Sequence, residues 1–322
     1  MSRYADLLAL GAVIAVASLF FWVQQPVFGK LSVIGDMVNS RADLVVLAVA
    51  MTFVLLVGEI DLSVGSILAL CSVVFGEVFV RTGSVWPATA ASLAAGTLCG
   101  AANGLLTVGL RIPSFVVTLG MMEIARGLAL YVAYSVSDRP RQSIDKSLAW
   151  LSDPLPGLAS LPAIGTMRLS GAIVLAVAVA AVAHLTLRYT VFGRHAQAIG
   201  DNARAFELSG GRVGWRKVAI FALTGLAAAV AALMQTARLN TTDPQGGVAM
   251  ELAVIAAVVV GGTSLSGGRA SVAGTLLGCL LIAVLGTGLS ILNTGDVAKR
   301  ISTGCVILFA VLLDAWRRRR TG

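Results

Sequence analysis

The chain has 322 residues, of which 57% are hydrophobic and 12% charged, with 35 glycines besides. Soluble domains carry roughly 25% charged residues, so this composition excludes an ordinary soluble enzyme, a disordered chain and a secreted disulfide scaffold. The net charge of +8 does not mark a nucleic-acid binder, because the basic residues cluster at the ends of apolar runs, as the positive-inside rule expects.

Ten apolar stretches follow in order: 5–24, 43–58, 62–80, 87–110, 113–135, 169–188, 218–238, 251–266, 271–292 and 300–316. A spanning helix needs about 20 residues. The expected fold is therefore an all-α integral membrane protein, a polytopic bundle of about ten transmembrane helices, some discontinuous. It fills residues 1–322 as a single domain with short connections. The N-terminal stretch lacks a clear cleavage site and is expected to be the first helix, not a signal peptide. Cys71, Cys99, Cys279 and Cys305 lie inside apolar runs without metal-ligand spacing and read as small packing residues.

The loop 189–217 and its flank hold Arg188, Arg194, Arg204, Arg212, Arg216 and Lys217, and the tail holds Arg317 to Arg320. Four expected spans separate them, so both fit the cytoplasmic side, and ten spans put the N-terminus there too. The Pro- and Asp-containing segment 136–168 then falls outside.

Enzymatic motifs are missing: the sequence has no GxxxxGK[ST], HExxH or GxSxG. His184 and His195 lack metal-ligand company. The polar residues that interrupt the apolar runs are the candidates for chemistry. In Gly58-Glu59-Ile60-Asp61-Leu62-Ser63-Val64-Gly65, Gly58 suits a helix break and Asp61 an N-cap for a helix starting at Leu62. Carboxylates at bilayer depth line polar paths or find partners; a tight capped turn is the plainer alternative. Gly261-Gly262-Thr263-Ser264-Leu265-Ser266-Gly267-Gly268 matches that segment at its first Gly, Leu, Ser and last Gly, a faint internal repeat or a chance similarity. Gly96, Gly100 and Gly104, four apart, form a face for close helix approach, with Asn103 beside them to bond across helices or face the path. Glu123 and Arg126, three apart on one helix, form a candidate intramembrane pair, either functional or fixing helix packing. In the basic loop Asn202 suits the cap of a short helix, Ala203 to Ser209, ended by Gly210: a docking element or an ordinary connector.

Taken in order, GEIDLSVGS at Gly58–Ser66, NG at Asn103–Gly104, IPSFVVTLG at Ile112–Gly120, ARG at Ala125–Gly127, GRHAQAIGDNARAFELSG at Gly193–Gly210 and AAVVVGGTSLSGG at Ala256–Gly268 carry a resemblance. The chain resembles the membrane permease subunit of bacterial ABC importers for monosaccharides, the ribose/xylose/arabinose type, related to the branched-chain amino-acid permeases. With the span pattern the resemblance covers almost the whole chain.

The resemblance implies transport across the inner membrane. Its expected partners are a cytoplasmic ATPase that binds ATP and Mg, a periplasmic sugar-binding protein, a second permease subunit (identical or related) and the lipid bilayer, with no nucleic acid. The chain itself would bind no cofactor and hold no metal. The ATPase-coupling helix would lie on Asn202, Ala203, Arg204, Ala205, Phe206, Glu207, Leu208, Ser209 and Gly210. The family's acidic-Ala-Ala start reads Ala203-Arg204-Ala205 here, and Glu59 stands where the family often has Gly. The expected path or gate residues are Gly58, Glu59, Asp61, Ser63, Asn103, Glu123, Arg126, Thr263, Ser264 and Ser266. Alternative cargoes are a branched-chain amino acid, a nucleoside, a polyol or a signalling furanose. An ion-coupled secondary transporter using Glu59, Asp61 or Glu123 is the competing class.

Overall fold

A computed structural model describes residues 2–136, 143–144, 148–154, 167, 169–295 and positions 297, 301, 302, 304, 305 and 308. The described elements are helical: α1 (Ser2–Gln24), α2 (Leu31–Asn39), α3 (Ala42–Leu56), α4 (Val64–Thr82), α5 (Val85–Leu110), α6 (Ser114–Tyr131), the short α7 (Ala149–Ser152), α8 (Gly171–Tyr189), α9 (Val191–Leu208), α10 (Val213–Leu239), α11 (Met250–Val260) and α12 (Val272–Ile291). A single-turn 3-10 helix, Pro26–Gly29, precedes α2, and a π-helical turn, Val132–Val136, extends α6.

Among the described residues seven helices are long and apolar enough to cross a membrane, or eight if the bent pair α2–α3 is one span. The expected stretch 251–266 is corrected: α11 has 11 residues, about 16 Å at 1.5 Å per residue, half of a roughly 30 Å hydrocarbon layer. The stretch 43–58 is likewise preceded by a helix that the apolar runs did not include, α2, which meets α3 at a bend of 48°. Most of the expected last span, 300–316, the arginine tail and most of 136–168 lie outside the described residues.

The centre of the bundle is α3, α4, α10 and α11, where Leu47, Met51, Leu55, Ile67, Leu68, Phe221 and Val258 are buried. The glycine face on α5 does the packing expected of it. A Cβ on Gly100 would fall 2.2 Å from the carbonyl oxygen of Phe221, and one on Gly96 2.4 Å from that of Gly225. The backbones of α5 and α10 therefore touch, and backbone contact supplies the dispersion that replaces hydrophobic driving force in lipid. Peripheral α1 leans on α12 through Ile14 and Phe21, joined by Phe28 of the 3-10 helix, and Leu8, Val16, Phe20 and Val23 face outward, as lipid contact requires. Exposed aromatics sit at the helix ends: Trp22, Trp86 and Tyr131 at one end of the bundle, Tyr189 and Trp215 at the other. That is the aromatic belt of a membrane protein. Cys71 and Cys279 are buried, Cys99 is half-buried and Cys305 exposed; all four are free thiols.

Candidate functional site

The two glycine-containing segments fold alike. After α3, Gly58 adopts φ +74°; its N–H donates to Leu55 O at 3.0 Å and that of Glu59 to Val54 O at 3.1 Å. After α11, Gly262 adopts φ +91°; its N–H donates to Val259 O at 2.9 Å and that of Thr263 to Val258 O at 3.2 Å. Each is a Schellman closure, a left-handed residue satisfying the last carbonyls of a helix. The faint sequence repeat is therefore a structural one, and it ends two apolar helices abruptly. The breaks also meet: Gly268 N donates to Leu56 O at 3.0 Å, and Gly58 packs on the carbonyl of Ser266.

The first break is held by a buried polar network. Asp61 is fully buried. Its Oδ1 accepts hydrogen bonds from Ser63 N at 2.9 Å and Ser63 Oγ at 2.6 Å. Asn103 Nδ2 donates to Ser63 Oγ at 2.8 Å, so Asn103 bonds across helices. Asp61 is not the helix N-cap the sequence suggested. Its carboxylate closes a turn onto the N–H two residues on, which keeps Leu62 and Ser63 out of the helix, and α4 begins at Val64. Ile60 N donates to Ser114 Oγ on α6 at 3.1 Å. Glu59 forms an ion pair with Lys217 at the start of α10, a partner that lies 158 positions away and that the sequence reading missed. Asp61 Oδ2 and Asn103 Oδ1 are buried and accept no hydrogen bond among the described residues. In the second break Thr263 and Ser264 are buried, and the Ser264 and Ser266 hydroxyls bond each other at 3.2 Å.

The helix α9 has two arms. At Asn202 the backbone leaves helical geometry (φ −161°, ψ 95°), and Asn202 Oδ1 accepts from Ala205 N at 2.9 Å. That is the expected cap. Gly210 (φ +87°) closes the second arm, its N–H donating to Glu207 O at 3.0 Å. The helix stops at Leu208, with Ser209 as C-cap. Arg204, Ala205, Glu207, Leu208, Ser209 and Gly210 are exposed, while Ala203 and Phe206 turn inward, and Phe206 packs on the His195 ring. The first arm, from Val191, was not foreseen. It carries the connection to the breaks: a Cβ on Gly200 would sit 1.8 Å from Leu56 O and 2.4 Å from Gly268 N. A single glycine thus touches both breaks at once.

The expected Glu123–Arg126 pair does not form. Arg126 Nη1 donates to the carbonyl oxygens of Pro244 at 3.0 Å and Gly246 at 2.9 Å, while Glu123 is exposed on α6 with no ion-pair partner among the described residues. Backbone carbonyls left without an internal partner in the irregular segment after α10 accept the guanidinium's N–H groups.

The comparisons agree with this architecture. A family model described as the permease component of a branched-chain amino acid transport system matches residues 33–313. The chain is 34% identical over 310 residues to the ribose import permease protein of Escherichia coli strain K12, covering 96% of this chain and 92% of that one. It is 36% identical over 274 residues to the L-arabinose ABC transporter permease protein of Azospirillum brasilense (85% and 77%). It is 31% identical over 361 residues to the xylose transport system permease protein of Escherichia coli strain K12 (97% and 92%). No solved structure matches. With broken apolar spans joined to a two-armed helix, and a family match over most of its length, this chain is a multi-pass membrane protein that belongs to the family of transport-system permease components.

Proposed function

We propose that the chain is the permease of an ATP-driven importer that passes a monosaccharide across the bacterial inner membrane. Relatives named for ribose, L-arabinose and xylose match most of its length. The buried polar groups at the breaks, Ser63, Asn103, Thr263 and Ser264, are neutral hydrogen-bonding groups suited to hydroxyls. In this reading Glu59 and Asp61 are structural, one ion-paired and one closing a turn, and are not a proton or cation site.

The observation that carries the coupling is the exposed second arm of α9, hinged at Asn202 and backed by Gly200 against both breaks. A cytoplasmic ATPase, which binds the ATP and Mg, docks on Asn202 to Gly210. A push there reaches Leu56 and Gly268 through the Asn202 hinge and Gly200. A periplasmic sugar-binding protein delivers cargo at the far end, and a second permease, identical or related, completes the pathway. Both chain termini and segment 189–217 lie in the cytoplasm.

The test is uptake of radiolabelled ribose, L-arabinose, xylose, fructose and leucine by cells carrying the chain with its ATPase and binding protein. The expected result is ATP-dependent uptake of a sugar that survives collapse of the proton gradient. Leucine uptake without sugar uptake, or uptake lost with the proton gradient while ATP is maintained, overturns the reading.

A further inference from the structure

Opposite α9 lies a second polar assembly, built where two half-helices begin. The pair α2–α3 bends at Ser40 and Arg41, and α3 starts inside the molecule, with Ala42, Asp43 and Leu44 buried. The other half-helix is α11. After α10 ends at Leu239, residues 240–249 fold back inward: Asp243 N donates to Ser72 Oγ at 3.3 Å, and Gly247 seats against Gly65. Ser72 lies about 15 Å below the end of α4 at 1.5 Å per residue. Arg126 grips the fold-back through the carbonyls of Pro244 and Gly246. Ala249, the residue before α11, has φ +62°, a conformation uncommon for any residue with a side chain.

Between these starts and the end of α10 is a cleft of about 350 Å³ lined by Ser40, Arg41, Asp43, Gln235, Arg238 and the turn leading into Met250. The Asp43 side chain is buried; its Oδ1 accepts from Leu44 N at 2.8 Å, and its Oδ2 stands 3.6 Å from Arg238 Nη2. That separation exceeds a hydrogen bond, so both groups keep capacity for a ligand. The buried Oε1 of Gln235 has no hydrogen-bond partner among the described residues.

Broken helices at depth occur where their ends line protein or a polar cavity, and half-helix ends hold solutes in other membrane carriers. A carboxylate, a guanidinium and a carboxamide in one chamber offer acceptors and forked donors, the combination that grips adjacent hydroxyls. The volume is at the small end of ligand sites, which run from roughly 300 Å³ upward. Asp43 already has Arg238 as its counter-charge, which suits an uncharged guest. We propose that this cleft receives the solute on the side opposite α9, holding an uncharged, polyhydroxylated ring through Asp43, Arg238 and Gln235. The proposal rests on the function given above.

The test compares Asp43→Asn, Arg238→Gln and Gln235→Leu with the wild type in the assembled transporter, measuring membrane level and uptake of ribose, L-arabinose, xylose and fructose. The variants should accumulate normally, lose about tenfold in uptake, the scale of one charged hydrogen bond, and alter the ratio of rates among the sugars. A purely structural role slows all sugars by one factor and leaves the ratio fixed. Fixed ratios, or uptake within about twofold of wild type, overturn the site. Should Asp43→Asn fail to accumulate, Arg238→Gln, at a half-exposed side chain, decides by the same ratio. A wild type that carries leucine and none of the sugars overturns the function itself, whereas one that carries a sugar with all variants unchanged overturns only the cleft.

Discussion

The residues that matter most are those whose polar atoms have a single place to go. Asp61 is the acceptor for both the backbone and the hydroxyl of Ser63, inside a volume that water does not reach. Asp61→Ala leaves that N–H unsatisfied at a cost of about 1–3 kcal/mol. The expected outcome is reduced membrane accumulation and reduced uptake, read by quantitative blotting and sugar transport. Glu59 and Lys217 make a sharper case because they are reciprocal. Reversing either charge places two like charges together in a half-buried site, at a cost between the ~1 kcal/mol of exposed pairs and the ~3–5 kcal/mol of broken buried ones. Glu59→Lys and Lys217→Glu should each lower uptake, and the double exchange should restore it. Failure of the double variant to recover would mean the pair does more than hold the loop.

At the scale of elements the central object is α9. Its first arm is wedged against the bundle and its second is displayed. Asn202→Ala removes a cap worth about 1 kcal/mol and should loosen the second arm without harming insertion. The measurement is the ratio of sugar carried to ATP hydrolysed, which is expected to fall. A bulky residue at Gly210, as in Gly210→Leu, has open space around its Cβ, so packing does not oppose it. The left-handed backbone does, by about 1–2 kcal/mol, and the closure of the arm suffers. ATP hydrolysis stimulated by the binding protein should persist while uptake drops, whereas unchanged coupling would show that this arm is not the docking element. The Gly58 and Gly262 closures are the other matched pair, each ending a helix so that polar backbone reaches the interior.

On the scale of the whole molecule, the bundle is a close-packed membrane fold with interruptions placed at its two ends. The contact of α5 with α10 is the widest among the described elements, and there is no room at Gly100 for a side chain. Gly100→Leu should therefore abolish stable accumulation, whereas Gly109→Leu on the same helix, which meets nothing nearby, should be tolerated. Comparing the membrane levels of the two variants by quantitative blotting checks this. The interruptions divide by position. The Schellman breaks gather under α9, and the half-helix starts of α3 and α11 gather at the opposite end. Under the proposed function, this separation lets one end answer a soluble partner while the other meets the cargo.

By itself the sequence determined the membrane class, the places of most spans, the glycine breaks and the Asn202 cap, because each depends on composition or on neighbours within a few positions. It left the likeness of the Gly58 and Gly261 segments open between a faint repeat and chance, and the matching backbone closures make them alike in structure. The tertiary structure decided what long-range contact alone can decide. Lys217 came to Glu59, Gly200 to both breaks, and Arg126 to the carbonyls of a folded-back segment instead of to Glu123. The structure also shortened α11 to a half-span and set α2 against α3 at a 48° bend, since an apolar run does not reveal where its helix bends or gives way to irregular backbone. In lipid, apolar faces are nearly interchangeable, so packing is chosen by small residues and by the partners that polar atoms find, and those partners are far apart along the chain.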